Sequence, residues 1–386
     1  MPVYHQMGHQ SGNLVSEPDL SAYVGEIASP VNYTPEEMRV LCGQHRDREG
    51  FEVIFDPQLY FPSSEREKLR KWNYFPADFE TADLGNLTWW DPISDGIATA
   101  ATGMGITAVC TPCYVPHAYS DDYYAMMVRI GDRMRQRLTN SAVDVIQTIV
   151  VSMSDLTQPK RALSLASIAS AGRCERIYLV VVPPTATPRN EIEDPEALKG
   201  VMRFISEVER AGVRVLVGYS STEMILWKAA GATACATGKF FNLRRFTGSR
   251  FELPTSGGGG GQLPYWIEEN LLGFLRQSDV IRVRDAELLS AASMANPYGL
   301  QILELLESAP GSAWLALGWR QYLYWFANME GRIARGEVDV RTMLHEAEDR
   351  WQALNNGNEP LLMEEPRNDG RWLRPWRRAE LEFRHH

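Results

Sequence analysis

Eight strand-like runs alternate with amphipathic helical segments along most of the chain, and this alternation strongly limits the folds open to it. The runs are rich in apolar and β-branched residues and occupy 23–28, 51–56, 105–110, 145–152, 176–182, 213–218, 232–237 and 280–283. Helical candidates separate many of them, for example at 121–138, 197–212 and 221–231. Strands that alternate with helices in this way are typical of a parallel sheet with covering helices.

A closed barrel accounts for this pattern better than an open sheet. An open sheet that binds a dinucleotide carries G-x-G-x-x-G after its first strand, and no such motif opens a helix here. Eight strand-and-helix units over about 260 residues also match the size of a (β/α)8 barrel. The sequence therefore predicts an α/β fold, a (β/α)8 TIM-type barrel over residues 1–290, with an insertion around 57–104 that carries Trp89 and Trp90.

The chain changes character after the predicted barrel. Apolar residues recur with helical spacing at 313–336 and 338–355, which predicts a C-terminal helical extension over 291–386. Six of the eleven tryptophans lie there: Trp314, Trp319, Trp325, Trp351, Trp372 and Trp376. So much aromatic area indicates either packing against the barrel or an interface with another subunit or protein, and both readings stay open. The glycine run 257–261, before the extension, indicates a mobile loop or hinge.

Composition narrows the class of protein and its compartment. The 44% apolar and 23% charged residues are typical of a globular chain. A net charge of −10 argues against a protein that binds a polyanion through its overall charge. The five cysteines are scattered, and no apolar signal region follows the start. No apolar run approaches the roughly 20 residues of a membrane span. We therefore expect a cytoplasmic protein that does not span a membrane.

Two polar residues follow the second run at a place where barrels carry their chemistry. Active sites of (β/α)8 barrels lie at the carboxyl ends of the strands and in the loops after them. Asp56 ends the run and precedes Pro57, where the chain turns out of the strand, and Gln58 follows. Asp56 either faces the barrel mouth or merely caps the turn. We predict a catalytic role for Asp56 and a substrate-binding role for Gln58.

The ends of the sixth and seventh runs and the loops after them contain the other candidate site residues. We predict that Glu223 is catalytic and that Gly218, Tyr219 and Ser220 bind substrate. Lys239 is also predicted to be catalytic, because a desolvated lysine at a strand end can form a Schiff base or contact a phosphate. Further substrate-binding residues are predicted in the same loop: Asn242, Arg244 and Arg245. Guanidinium groups bind phosphate or carboxylate well, and a surface salt-bridge cluster with acids on the next helix is the alternative.

Cys110, Cys113 and His117 resemble half of a zinc site. Structural zinc needs four ligands, and the sequence has no second C-x-x-C or H-x3-H pair. We therefore expect buried thiols in the barrel wall, no metal and no cofactor.

Three of these segments together resemble the tRNA-guanine transglycosylase family. IFDPQLYFP places Asp56 in the context of the family's D-S-G-G-F-Q. VGYSSTE is similar to the family's G-G-L-A-V-G-E, where Gly218 and Glu223 hold the first glycine and the final glutamate. GATACATGKFFNLRR looks like its G-x-D-x-F-D-C-V-x-P-T-R-x-A-R, with Gly231 and the arginines retained. The resemblance implies a (β/α)8 barrel that binds a nucleobase or nucleotide.

The sequence also departs from that family. The family's nucleophilic aspartate falls near Ala236 or Thr237, and neither residue can form the same covalent glycosyl intermediate. The family's zinc signature, C-x-C-x2-C with a distant histidine, is absent. The resemblance therefore implies a divergent barrel, whose activity, if it has one, is that of a transglycosylase or glycosidase.

Two classes of function remain, and a Schiff-base lyase that acts through Lys239 is a third possibility. In the first, which we favour, the barrel mouth binds a nucleobase or nucleotide and acts as a transferase in base or nucleotide modification, with nucleic acid as an undecided further ligand. In the second, the chain is a non-catalytic subunit of a larger assembly. Its barrel and tryptophan-rich C-terminal helices would then form a homo-oligomer or bind a protein partner. Loss of ligand binding on changing Asp56 or Glu223 would indicate the first class.

Overall fold

Eight parallel strands, β1 to β8, close into a barrel in chain order. The computed structural model describes residues 2–12, 14–45, 48–184, 189–253, 262–309, 311–356 and 369–385. The barrel strands are Val3–Gln6, Tyr23–Ala28, Glu52–Phe55, Ala108–Cys110, Asp144–Ser152, Arg176–Val182, Arg214–Val217 and Ala234–Thr237. The barrel closes where β1 pairs with β8, with His5 opposite Thr237. The predicted (β/α)8 TIM-type barrel is confirmed.

The helices of the described residues follow the strands and cover the barrel. In chain order, α1 to α13 are Pro35–Gln44, Glu67–Arg70, Leu87–Met104, Asp121–Arg137, Pro159–Ser170, Pro195–Arg210, Met224–Ala229, Gln277–Asp285, Ala291–Ala295, Pro297–Ser308, Leu315–Ala334, Val340–Asn355 and Leu373–Arg384. None of these helices is both long enough and apolar enough to cross a bilayer. Two further strands, β9 (Trp266–Glu268) and β10 (Gly273–Leu275), form an antiparallel pair after the barrel. The glycine run 257–261 lies outside the described residues.

Two strand positions differ from the sequence-based prediction. β1 was missed because VYHQ is short and half polar, although all four of its residues are buried. The run 280–283 was wrongly predicted to be a strand, since it lies within α8. Val280 and Val283 are three residues apart, which places both on the buried face of that helix. The predicted number of strands is therefore right, but the first predicted run is β2.

A network of charged side chains occupies the amino-terminal end of the barrel. The Arg176 guanidinium donates to both oxygens of Glu52, at 2.6 and 2.9 Å, and to Asp144 at 2.9 Å. The Tyr4 hydroxyl donates to Glu52 at 2.6 Å. Charge-assisted bonds of this kind fix the strands to one another at that end. The network leaves the opposite mouth for binding and chemistry.

α11 covers the seam between β8 and β1, where the barrel closes. The Tyr23 hydroxyl of β2 donates to the carbonyl of Leu323 at 3.0 Å, and the Cys235 amide of β8 donates to Glu330 at 3.1 Å. The helix therefore takes the place of the covering helix that normally follows the last strand. The division of the chain at residue 290 stays a prediction.

Most of the C-terminal tryptophans pack inside the chain itself. Five of the six are buried: Trp314, Trp325, Trp351, Trp372 and Trp376. The indole of Trp376 donates to the carbonyl of Ile192, in the loop before α6, and this bond ties α13 to the barrel. The structure therefore favours the packing interpretation of this aromatic area. A homo-oligomer or a protein partner stays a prediction.

Candidate functional site

The predicted site residues all lie in loops that leave the carboxyl ends of the strands. Asp56 follows β3 directly, Gly218 and Tyr219 follow β7, and Lys239 follows β8 after one glycine. Parallel strands bring these ends to a single mouth, so residues far apart in sequence become neighbours. Within that mouth, the predicted residues divide among separate groups of contacts.

Asp56 is a buried carboxylate at the centre of one such group. One of its oxygens accepts a hydrogen bond from the backbone amide of Gln58 at 3.0 Å, and the other accepts one from the Tyr60 hydroxyl at 3.0 Å. Burial raises the pKa of Asp56 to about 7, although both hydrogen bonds and the charge of Arg250 oppose that rise. The residue therefore caps its turn and also offers a carboxyl group that titrates near neutral pH.

Gln58 and Tyr219 meet beside Asp56 in an unfavourable backbone conformation. Their φ angles are both 53°, in the left-handed region that costs a residue with a Cβ atom roughly 1–2 kcal/mol. The side-chain oxygen of Gln58 accepts from the Ser29 hydroxyl at 3.0 Å and from the Val31 backbone amide at 3.1 Å. Its amide nitrogen lies 3.5 Å from the Tyr219 hydroxyl. Strain of this kind is often found at functional sites.

Gly218 makes room for Tyr178 in the barrel interior. A Cβ atom at position 218 would lie 2.5 Å from the ring of Tyr178, a distance that no side chain tolerates. The Tyr178 hydroxyl donates to the side-chain oxygen of Gln6 at 2.8 Å. The side-chain nitrogen of Gln6 is buried without a partner among the described residues. Gly218 therefore shapes the floor of the mouth rather than contacting a ligand through a side chain.

Aromatic rings of the loop after β8 cover the Asp56 region. Phe246 packs 5.1 Å from the ring of Tyr60 and 5.3 Å from that of Tyr219, and Phe251 packs 5.5 Å from Tyr60. The Ser64 hydroxyl donates to the Phe251 carbonyl at 2.6 Å. This cover leaves Asp56 only 1% exposed.

Arg250 also belongs to this group, although the sequence did not reveal it. It is buried, and its Nη2 donates to the Ser29 hydroxyl at 2.8 Å and the Met7 carbonyl at 3.4 Å. Its Nε is buried with no hydrogen-bond partner in the described part of the chain. Its position did not mark it as a candidate, because Arg250 lies well beyond the end of β8. We refer to Asp56, Gln58, Tyr60, Tyr219 and Arg250 as the Asp56 cluster.

Glu223 and Arg245 form a second buried group. The Arg245 guanidinium lies 3.0 Å from Glu191 and 3.3 Å from Glu223, so that one cation faces two carboxylates. Burial raises the pKa of Glu223 above its usual range, while the charge of Arg245 opposes the rise and Glu191 adds to it. Both acids lie in loops of the mouth. This group is therefore a buried ion cluster, and not one at the surface.

Three further predicted substrate-binding residues, like Gly218 and Arg245, are not part of the Asp56 cluster. The Ser220 hydroxyl donates to the Val217 carbonyl at 3.2 Å. Arg244 donates to the carbonyls of Gly238 and Lys239, and its guanidinium lies 3.5 Å from the centre of the Tyr322 ring on α11. The side-chain oxygen of Asn242 is buried without a partner in the described residues. The contacts of Ser220 and Arg244 hold loops in place and bind them to α11.

Lys239 lies at the edge of the mouth, next to the loop after β1. Its ammonium group donates to the Gln10 carbonyl at 2.8 Å and lies 4.6 Å from the centre of the Trp319 ring. Burial lowers the pKa of Lys239 to about 8, and the charge of Arg320 contributes. A lysine with this pKa supplies some neutral amine near neutral pH, so a catalytic role stays a prediction.

β8 carries no nucleophile toward the barrel interior. Ala236 pairs with Tyr4, whose hydroxyl lies in the interior network, so Ala236 faces inward with only a methyl group. Thr237 points the opposite way because side chains alternate along a strand. Its hydroxyl lies 2.7 Å from that of Tyr322 on α11.

The cysteines of the described residues are all buried free thiols. Burial raises the pKa of Cys113 to about 12, and its sulfur lies 3.2 Å from the Tyr123 hydroxyl. Within the described ranges, no group of three or more His, Cys, Asp or Glu side chains is arranged to hold a metal ion.

Several solved structures resemble this chain distantly. No protein-family model matches it, and no curated protein matches its sequence. A solved 2,3-dimethylmalate lyase of the PEP mutase/isocitrate lyase superfamily is 12% identical over 61% of this chain and 75% of its own, with a TM-score of 0.34. A 3-hexulose-6-phosphate synthase is 13% identical over 62% and 90%, with a TM-score of 0.33.

The carboxyl transferase domain of Rhizobium etli pyruvate carboxylase is 9% identical over 92% of this chain and 54% of its own, with a TM-score of 0.37. These likenesses are too distant to transfer a substrate or a residue role. The assignment of the chain as a (β/α)8 barrel rests on its own strand pairing, in which β1 to β8 form a closed parallel sheet.

Proposed function

We propose that the barrel mouth binds a nucleobase-like planar ligand at the Asp56 cluster and takes part in base or nucleotide modification. One observation carries the proposal: Gln58 and Tyr219 are both held at a φ of 53°, and they meet beside a buried carboxyl group. A fold maintains such conformations only where other contacts offset the strain. The resemblance of three loop segments to tRNA-guanine transglycosylases supports the same choice of ligand.

The Asp56 cluster offers the hydrogen-bonding groups that a heterocyclic base requires. The side-chain nitrogen of Gln58 can donate, and the hydroxyl of Tyr219 can both donate and accept, so together they match the mixed donors and acceptors of a base edge. Asp56, with a pKa of about 7, can donate a proton to a ring nitrogen or accept one from it. The rings of Tyr60 and Phe246 lie beside these groups and offer faces for stacking.

Ligand entry requires movement of the aromatic cover. Phe246 and Phe251 lie over the Asp56 cluster, and no side chain of the cluster is well exposed. Loops of barrel enzymes commonly open for the substrate and close to exclude water. In this proposal the segment from Phe246 to Phe251 is that loop, and its closed position keeps the proton on Asp56 through burial.

Proton transfer is the chemistry that the cluster itself supplies. A covalent glycosyl intermediate on β8 is not part of the proposal, because Ala236 has no nucleophile and the Thr237 hydroxyl is directed at Tyr322. An attacking group would therefore come from the substrates. The proposed transferase activity on a base or nucleotide therefore relies on an attacking group that the substrates supply.

Calorimetric titration with free purine and pyrimidine bases and their nucleosides tests this proposal. We expect at least one base to bind the full-length chain, and the Asp56→Asn variant to bind it about 10-fold more weakly or worse, because one charge-assisted hydrogen bond is lost. The matched control is Glu330→Gln. Glu330 is also a buried carboxyl whose pKa burial raises to about 7, but it belongs to α11, where it pairs with Lys228 at 3.3 Å.

The comparison of the two variants decides the outcome. Base binding that is weakened by Asp56→Asn and unchanged by Glu330→Gln supports the proposal. Equal binding to the wild type and to Asp56→Asn, or no binding of any base to the wild type, contradicts it. Circular dichroism of each variant separates a loss of ligand contacts from a loss of folding.

A further inference from the structure

Arg250 places a positive charge inside the barrel mouth without an ion-pair partner in the described residues. Among the residues that the structure describes, its guanidinium donates to two neutral groups, the Ser29 hydroxyl and the Met7 carbonyl, and its buried Nε has no partner. Burial lowers the pKa of Arg250, and the nearby charge of Arg66 lowers it further. A buried cation that is not paired costs free energy, so a group of opposite charge would stabilise it.

Arg66 brings a second cation to the same edge of the mouth. It begins the turn before α2, and its backbone amide donates to the Ser64 hydroxyl at 3.3 Å. That hydroxyl in turn donates to the carbonyl of Phe251, the residue after Arg250, at 2.6 Å. Arg66 is partly buried and forms no ion pair within the described ranges, and burial alone lowers its pKa. The Ser64 bridge therefore holds the backbone of Arg66 close to that of Arg250, and the two charges are near enough for Arg66 to lower the pKa of Arg250.

The acids nearby do not neutralise this pair. Asp56 lies close enough to Arg250 for their charges to interact, but no hydrogen bond joins them, and Asp56 is only partly ionised at neutral pH because its pKa is about 7. Glu65 and Glu252 are exposed, so water and salt screen their charges. A groove of about 360 Å³ is lined by residues next to the two arginines, Ser64 and Phe251 among them, and by Glu65 and Glu252.

We propose that the guanidinium groups of Arg66 and Arg250 form an anion site that binds a phosphate group of the ligand. Guanidinium groups bind phosphate through paired hydrogen bonds, and barrel enzymes often hold phosphate with the loop after the last strands, where Arg250 lies. The ligand is then a nucleotide rather than a free base. The anion site stands on its own contacts, whereas the identification of a nucleotide rests on the proposed function.

Titration of the full-length chain with inorganic phosphate, at fixed ionic strength, tests the anion site. We expect phosphate to bind the wild type, and Arg250→Gln and Arg66→Gln each to weaken that binding by about 10-fold or more. Arg250→Lys keeps the charge but loses the planar guanidinium. The phosphate affinity of this variant should therefore lie between that of the wild type and that of Arg250→Gln. The control is Arg374→Gln, which removes an exposed arginine of α13 and should leave phosphate binding unchanged.

A second set of binding measurements distinguishes a failure of this inference from a failure of the proposed function. Asp56→Asn should retain phosphate binding, because it removes a negative charge near Arg250 and no donor to the anion. A nucleoside monophosphate should bind the wild type at least about 10-fold more tightly than its nucleoside, and Arg250→Gln should abolish that preference. The inference is overturned if phosphate does not bind the wild type, or if it binds both arginine-to-glutamine variants as well as it binds the wild type. Phosphate binding without any base binding would overturn the proposed function alone.

Discussion

At the scale of single residues, burial is what gives Asp56 its chemistry. An aspartate in water is ionised above about pH 4. Under the aromatic cover, burial shifts the pKa of Asp56 to about 7, although the Gln58 amide and the Tyr60 hydroxyl both favour the charged form. The residue can therefore exchange a proton near neutral pH, and the fold maintains this property at a cost in stability.

That cost predicts how stability depends on pH. Since the folded chain keeps a proton on Asp56 that the unfolded chain releases near pH 4, Asp56 lowers the free energy of unfolding progressively as pH rises from about 4 to about 7. Asp56→Asn should remove this contribution. Relative to the wild type, the variant should gain up to about 4 kcal/mol between pH 4 and pH 8. Chemical denaturation at both pH values measures the difference, and parallel pH profiles of the two proteins would contradict it.

At the scale of secondary-structure elements, the end of α8 contains a residue whose conformation suits glycine. Glu287 follows the helix at a φ of 57°, its amide donates to the Arg284 carbonyl at 2.8 Å, and the next amide, of Leu288, donates to Val283 at 2.9 Å. This is the Schellman arrangement, in which a left-handed residue ends the helix. Glu287 is exposed, and nothing in the described contacts of its side chain offsets the strain.

Glu287→Gly should therefore stabilise the protein. We expect the free energy of unfolding to rise by up to about 1 kcal/mol, because glycine adopts this conformation without the clash of a Cβ atom, less the entropy that glycine adds to the unfolded chain. Thermal denaturation measures the gain. Glu287→Ala serves as the control, since it keeps the Cβ atom and should bring no comparable gain. An equal gain in both variants would show that backbone strain is not the cause.

Gln58 and Tyr219 share this backbone conformation but differ from Glu287 in their surroundings. The side chain of Gln58 accepts bonds from Ser29 and Val31, and that of Tyr219 packs 5.3 Å from Phe246. These contacts hold the strained turns of β3 and β7 in place. The loops of the mouth are therefore shaped by tertiary contacts and not by the preference of their own residues.

At the scale of the whole molecule, the barrel depends on a helix far along the chain. α11 supplies the contacts that cover the seam of the barrel: Tyr23 to Leu323, Thr237 to Tyr322, and Cys235 and Lys228 to Glu330. Arg244 of the mouth also stacks on Tyr322. The same helix, α11, therefore covers the seam of the barrel and holds a loop of the mouth.

A chain that ends after residue 305 should consequently fail to fold into a stable barrel. Without α11, the outer faces of β1 and β8 and the buried Lys228 would lose their cover, and exposed apolar surface and an unpaired charge are both costly. We expect no cooperative thermal transition by near-ultraviolet circular dichroism. A chain that ends after residue 356 retains α11 and is the matched control. A cooperative transition in the shorter chain would show that the barrel folds without α11.

Much of this fold could be predicted from the sequence, because burial on both faces leaves its mark, a run of apolar residues, on seven of the eight barrel strands. Seven of the eight predicted runs coincide with β2 to β8, and the helices at 121–138, 197–212 and 221–231 coincide with α4, α6 and α7. β1 left no such mark, since half of VYHQ is polar. Val280 and Val283 fit a strand or a helix equally well by periodicity, and packing decided between them.

The sequence by itself determined that strands and helices alternate, and therefore that polar residues at the ends of β3, β7 and β8 gather at one mouth. Only the tertiary structure decided which of them meet. It brought Asp56, Gln58 and Tyr219 together, added Arg250, and directed Arg244 and Thr237 toward α11. The physical reason is that periodicity reports whether a residue is buried, whereas the partners of a buried polar group depend on long-range contacts that no local pattern records.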